Sequence, residues 1–265
     1  MALVSVEWLR KNSHDPKLVI LDGSFGNPIE KSDSENKIIP NAIFFDLDKT
    51  FSDTTSDLPH TMVSEQKFTD EVQKLGIDDD SKIVVYDNKG IYASPRVWWM
   101  FRSMGFENVC VLDGGLPEWE RVGFDVSDGH KTPGSKGNFV PEFNPDFFAD
   151  KVQVKKAILE NTSEIVDARH PNRFNGLEDE PRKGLRRGHI PSAKNLYFND
   201  CLCDGKLKPT SELRQIFSKI DSEKPTIFSC GSGVTACITA FAAYICGFEK
   251  LSVYDGSWAE WGSFC

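Results

Sequence analysis

The second half of this chain repeats the first, and the matched segments keep their order. Ile20-Leu21-Asp22-Gly23 answers Ile165-Val166-Asp167-Ala168, and Ile39-Pro40-Asn41-Ala42 answers Ile190-Pro191-Ser192-Ala193. Further on, Ile83-Val84-Val85-Tyr86-Asp87 corresponds to Thr226-Ile227-Phe228-Ser229-Cys230, Gly105-Phe106 to Gly247-Phe248, Asp113-Gly114-Gly115 to Asp255-Gly256-Ser257, and Trp119 to Trp261. Ordered self-similarity of this kind requires two copies of one folding unit. Within each copy, short apolar runs alternate with amphipathic stretches of helical period. That is the pattern of a mostly parallel sheet with helices on both faces, an α/β fold. The 265 residues suffice for two such domains. Ser127 to Asn138 is polar, rich in Gly and Pro, and without apolar period, which is linker composition. The expected division is a first domain over 1–126, a linker over 127–145 and a second domain over 146–265.

The two copies differ where chemistry is to be expected. Thr226-Ile227-Phe228 reads as a short buried strand, Cys237 to Cys246 as a helix stopped by Gly247, and Cys230-Gly231-Ser232-Gly233-Val234-Thr235 as the turn between them. Backbone N–H groups left unpaired at a helix N-terminus, with the positive end of the helix dipole, favour the anionic form of a thiol. Gly231 and Gly233 are expected to let the backbone fold around the sulfur. Asp87 occupies the Cys230 position in the first copy, so only the second can supply a thiol nucleophile. In open α/β sheets ligands bind beyond the carboxyl ends of the strands, where the Cys230 turn begins. Taken alone, Cys230 also fits a buried structural cysteine beside a tight turn.

Composition removes other classes. The net charge of -9 disfavours nucleic-acid binding, and no apolar run is long enough to span a bilayer. The expected partners are therefore neither nucleic acid nor membrane. Seven scattered cysteines, an odd number, suit a reducing compartment. Cys201-Leu202-Cys203 lacks a second ligand pair, so no metal is expected. The start, Met1 to Arg10, has no basic segment and reads as an amphipathic helix, so cytoplasm is the expected compartment, with mitochondria left open.

The Cys230 loop, Pro95-Arg96-Val97-Trp98-Trp99-Met100-Phe101-Arg102, Asp113-Gly114-Gly115, Gly188-His189-Ile190-Pro191 and Tyr254-Asp255-Gly256-Ser257-Trp258 together resemble the tandem rhodanese-type sulfurtransferases across almost the whole chain. The resemblance implies two rhodanese-like domains, the first without a catalytic cysteine. It implies that Cys230 carries sulfur as a persulfide, with Gly231, Gly233, Val234 and Thr235 lining the substrate. Thiosulfate-using relatives carry basic residues where this chain has Gly231 and Ser232, so the neutral loop points to the branch whose donor is 3-mercaptopyruvate.

Arg173 and Arg182 match the family's substrate-binding arginines, whose planar forks suit a carboxylate. The residues by themselves leave open a solvated loop, with Glu178, Asp179 and Glu180 as local ion partners. His60, oriented by Asp48, resembles the family's acid/base relay with Ser232. The implied acceptor is thioredoxin or a small dithiol, with release of hydrogen sulfide, or cyanide in vitro, and no cofactor is implied. Thiosulfate:cyanide sulfurtransferase and a non-catalytic rhodanese-like binding module are the alternatives. A cysteine phosphatase would need arginine where the chain has Ala236. His189 and the Trp98-Trp99 pair read as structural, Arg186 and Arg187 as surface charge.

Overall fold

The structure, a computed structural model, describes residues 1–24 and 37–263. Its chain divides into two compact units. Unit 1 comprises Met1–Asp53, Met62–Phe143 and Asp204–Lys206; unit 2 comprises Thr54–Thr61, Asn144–Cys203 and Leu207–Cys265. His60, expected on a loop of the first domain, is thus counted with unit 2. Among the described residues no helix is long and apolar enough to cross a membrane.

In unit 1, β1 (Leu3–Val4), β2 (Leu18–Asp22), β3 (Ile43–Phe44), β4 (Lys82–Tyr86) and β5 (Val109–Leu112) form a sheet in the order β1-β5-β4-β2-β3, every pair parallel. Helices α1 (Val6–Asn12), α2 (Glu65–Lys74), α3 (Ser94–Ser103) and α4 (Gly115–Arg121) connect these strands. Residues Ile83 to Tyr86 are buried without alternation, because a parallel sheet covered on both sides leaves no polar face. Ser5 and Ser64 start α1 and α2 by accepting from the backbone N–H groups of Trp8 and Lys67.

Unit 2 repeats the plan. β6 (Phe148–Ala149), β7 (Glu164–Asp167), β8 (Lys194–Asn195), β11 (Thr226–Ser229) and β12 (Leu251–Tyr254) form a parallel sheet in the order β6-β12-β11-β7-β8. The small hairpin β9 (Leu202–Cys203) and β10 (Lys206–Leu207) stands apart from it. Its helices are α5 (Lys151–Glu160), α6 (Pro171–Phe174), α7 (Thr210–Ile216), α8 (Ala236–Ile245) and α9 (Ser257–Trp261). The duplication extends to backbone geometry. Asn41 and Ser192, at matched places, have φ of 66° and 64°, and close matched turns from Ala42 N to Ile39 O and from Ala193 N to Ile190 O. The fold class is therefore α/β in two like units.

The stretch expected as linker is tied to unit 1 over most of its length. Ser127 bridges Ile38, Lys131 N donates to Ala42 O, and Glu142 N donates to Met104 O. Phe139 is 1% exposed and packs edge-on against Phe68 and Phe101. Phe139 and these backbone hydrogen bonds together fasten the segment. Gly137 lies so close to Ile77 that a Cβ would sit 2.0 Å from its carbonyl oxygen, so here the composition reflects close approach instead of free linkage.

Asp87, which replaces the cysteine in unit 1, makes its loop self-sufficient. Its buried carboxylate accepts from the N–H groups of Lys89, Tyr92, Ala93 and Ser94 and from Ser94 Oγ. Burial pushes this carboxyl up from its ordinary range, and the hydrogen bonds from Ser94, Tyr92 and Lys89 oppose the shift. The N-terminus of α3 is thus capped by the chain's own Asp87 side chain.

A second carboxylate of unit 1 gives a pH prediction. Glu118, 8% exposed, accepts from Arg121 Nε at 2.5 Å and Nη2 at 2.8 Å and from Lys206 Nζ at 2.9 Å. The Arg121 fork first, and Lys206 next, hold its carboxyl down at about 2 against an ordinary 4.5. A depressed folded value contributes stability that is complete above the ordinary value and disappears as pH falls toward the depressed one. Thermal melts of the parent and Glu118→Gln should therefore differ at neutral pH, and the gap should close as pH falls from about 4.5 to about 2. A gap that stays constant over that range would show that the ion pair does not contribute.

Candidate active site

Strand β11 delivers Cys230. All four of its residues are buried between β7 and β12, so the chain leaves the sheet at a fixed point and turns through 230–235 into α8. The turn is held from behind by α9. Trp258 N donates to Cys230 O at 2.9 Å, and Ala259 N donates to Gly231 O at 3.0 Å. Ser257, with φ of 46°, accepts from Cys230 N at 3.2 Å and donates to Tyr254 O at 2.8 Å. Cys230 is 1% exposed.

The two loop glycines have different reasons to be glycine. Gly233 has φ of 79° and is needed for the bend, whereas Gly231 does not lie at positive φ. At Gly231 the constraint is space. A Cβ there would lie 3.2 Å from Arg173 Nη2 and 3.7 Å from Arg182 Nη1, so the missing side chain lets two guanidinium groups reach the loop backbone. Val234 is 4% exposed and belongs to the core. Thr235 sits at the N-cap of α8 without a side-chain capping bond.

Both expected arginines therefore reach the loop. Arg182 lies after α6 on an exposed segment, and its Nη2 is 3.4 Å from Ser232 Oγ. Arg173, in α6, has Nε 3.2 Å from Glu180 Oε1 and also donates from Nη2 to Glu180 Oε2. The acidic run divides its partners. Glu180 takes Arg173, Asp179 takes Arg187 at 2.8 Å, and Glu178 stands 3.9 Å from His170.

Ser232 joins the arginine to the histidine. His60 Nδ1 is 2.9 Å from its Oγ. A guanidinium only donates, so Ser232 Oγ accepts from Arg182, while the direction of its bond with His60 Nδ1 follows the imidazole tautomer. Asp48 belongs to unit 1, in an exposed turn.

Arg169 has no counterpart in the sequence reading, yet it organises the site. It is 2% exposed, donates from Nε and Nη2 to Asp167 and from Nη2 to Gly188 O, and its Cζ lies 4.2 Å from the centre of the Trp258 ring. Its Nη1 donates to Glu180 Oε1 at 2.7 Å. The signal was an arginine two residues past a strand-ending aspartate, and spacing alone does not separate that from surface charge. Arg186 and Arg187 are exposed. His189 stacks on Phe174 and bonds its carbonyl, and Trp98 and Trp99 are core residues of α3, as structural readings require. Cys110, Cys201, Cys230 and Cys246 are free thiols; Cys265 lies outside the described residues.

The profile of the Rhodanese-like domain matches this chain twice, over residues 5–122 and 150–263. The chain belongs to the rhodanese family. Among curated rhodanese relatives, the 3-mercaptopyruvate sulfurtransferase of Escherichia coli (strain K12) is 39% identical over 268 residues, covering 98% of this chain and 94% of that protein. The 3-mercaptopyruvate sulfurtransferase of Homo sapiens is 38% identical, covering 98% and 91%. The thiosulfate sulfurtransferase of Cricetulus griseus is 39% identical over the same shares. The crystal structure of SseA from Escherichia coli superposes with a TM-score of 0.87 at 37% identity, covering 97% of this chain and 98% of that one. Membership thus covers both halves, while the relatives' names divide between two sulfur donors.

Proposed function

We propose that this rhodanese-family chain is an enzyme that moves the sulfur of 3-mercaptopyruvate through a persulfide on Cys230 to a thiol acceptor and releases pyruvate. The observation that carries the reading is the pair of guanidinium groups, Arg173 and Arg182, set against the backbone of the Cys230 loop at Gly231. An α-keto acid brings one carboxylate, and the loop itself adds no cation. Thiosulfate is a compact dianion, which Arg173, already neutralised by Glu180, is poorly placed to balance.

The reaction proceeds in two halves. With the carboxylate at Arg173 and Arg182, the Cys230 thiolate attacks the sulfur of the donor. The new S–S bond forms as the carbon–sulfur bond breaks, and the electron pair of that bond leaves on carbon as pyruvate enolate. The enolate takes a proton and departs as pyruvate. Ser232, hydrogen-bonded to both His60 and Arg182, is the group we assign to that proton transfer, with His60 replenishing it. Asp48 enters as the orienting carboxylate through the family resemblance alone. In the second half an acceptor thiolate attacks the outer sulfur and Cys230 leaves as thiolate. A dithiol acceptor, thioredoxin or a small molecule, then closes to its disulfide and frees hydrosulfide; cyanide would leave as thiocyanate. Gly231, Gly233, Val234 and Thr235 offer backbone to the outer sulfur and require no cofactor.

The test is intact-mass spectrometry of the reduced protein after brief exposure to 3-mercaptopyruvate or thiosulfate, followed by steady-state rates with each donor. One added sulfur, and a kcat/KM at least about tenfold higher for 3-mercaptopyruvate, is expected. Faster loading from thiosulfate would transfer the assignment to a thiosulfate:cyanide sulfurtransferase, and no loading from either would leave a binding module.

A further inference from the structure

Arg173 does not stand alone beside the loop. It is the outer end of a row of alternating charges, Asp167, Arg169, Glu180 and Arg173. The first three side chains are 1%, 1% and 2% exposed, and Arg173 is 21% exposed. Glu180 sits between the two arginines. One of its oxygens accepts from Arg169 Nη1 and Arg173 Nε, the other from Arg173 Nη2. The same Nη2 lies 3.2 Å from the Cβ position of Gly231.

We infer that Glu180 is a positioning residue for the donor's carboxylate, holding the Arg173 fork by its Nε/Nη2 edge so that its remaining Nη hydrogens face the Cys230 loop. The inference rests on the reading that Arg173 receives that carboxylate. Arginine has a long, rotamer-rich side chain, and an unheld fork would have to be ordered at the moment of binding, at the expense of affinity. Glu180 removes that penalty beforehand. It is itself fixed because the buried Arg169 holds it from the other side, while Asp167 and the Trp258 ring hold Arg169. One fork edge is thereby already used, and the substrate takes one edge of Arg173 together with Arg182. The sign of the effect separates this from plain electrostatics. If Glu180 were only a negative charge competing for Arg173, its neutralisation would tighten binding of an anionic donor. If it positions Arg173, neutralisation weakens binding.

The experiment compares the full chain with Glu180→Gln and, as a second variant, Arg173→Ala. Two readouts are taken: KM and kcat for 3-mercaptopyruvate with cyanide as acceptor, and the ratio of Cys230 alkylation rates by iodoacetate and iodoacetamide. The alkylating agents differ in whether a carboxylate accompanies the electrophile, and their ratio needs no turnover. Glu180→Gln should raise KM about tenfold with kcat within about threefold, and lower the iodoacetate to iodoacetamide ratio in the same direction as Arg173→Ala. An unchanged or lower KM with an unchanged ratio would overturn the inference. So would an equal loss of both alkylation rates, which would mark Glu180 as a support of the loop alone. Should the parent protein fail to turn over 3-mercaptopyruvate, the functional reading falls, and the alkylation ratio still decides the role of Glu180.

Discussion

Cys230→Ser should abolish sulfur transfer, with kcat/KM at least about 10⁴-fold below the parent and no sulfur gained by mass. Serine differs by one atom at a site that is 1% exposed, so packing, the Trp258 N to Cys230 O bond and the Ser257 contact all persist. What is lost is chemical. A hydroxyl is almost wholly protonated at neutral pH, and oxygen cannot hold a transferable sulfur in a stable S–S bond. The fold should therefore melt close to the parent while activity disappears. Residual turnover within about tenfold would move the nucleophile to another thiol. Cys237 is a poor candidate, being buried in α8 with its thiol bonded to Gly233 O. Cys203 is exposed, but lies on β9 and not in the loop.

Arg169→Met should destabilise unit 2 by about 3–5 kcal/mol, because removing one partner of a buried ion pair leaves the remaining charge uncompensated. Here Asp167, at 1% side-chain exposure, loses the guanidinium that pairs with it, and Glu180, at 2%, is left with Arg173. Methionine keeps much of the volume over the Trp258 ring, so the loss reports on charge and hydrogen bonding more than on packing. The check is the urea midpoint of each variant, with Arg169→Met/Glu180→Gln as the double mutant. The double should lose less than the sum of the two single variants, since the Arg169–Glu180 pair is already broken in either one. A single-variant loss under about 1 kcal/mol would mean that water reaches Asp167 and Glu180 as soon as Arg169 is gone.

Much of the architecture is readable along the chain. Apolar runs such as Lys82–Tyr86 and Thr226–Ser229 announce buried parallel strands, and the Ile-Pro-x-Ala turns announce the same bend twice. These are local signals, and each is set by residues within a few positions of one another. The Cys230 loop is legible for the same reason: strand, glycine turn and helix follow one another within twenty residues. Phe139 is harder to read, because an aromatic at the edge of a polar segment sets no period, and its value depends on Phe68 and Phe101 far away in the chain.

By itself, the sequence determined that the chain folds as two like α/β units, that only the second carries a thiol at the strand-to-helix turn, and that arginines at 173 and 182 are at hand. The tertiary structure alone decided which charges meet. It brought His60 to Ser232 from 172 positions away, set Trp258 beneath Arg169, and gave Glu180 to Arg169 and Arg173 while leaving Asp179 to the exposed Arg187. The reason is physical. Strand and turn preferences are written in neighbouring residues, whereas an ion pair gains its strength from the burial of both partners, and burial is fixed only when distant segments close around them.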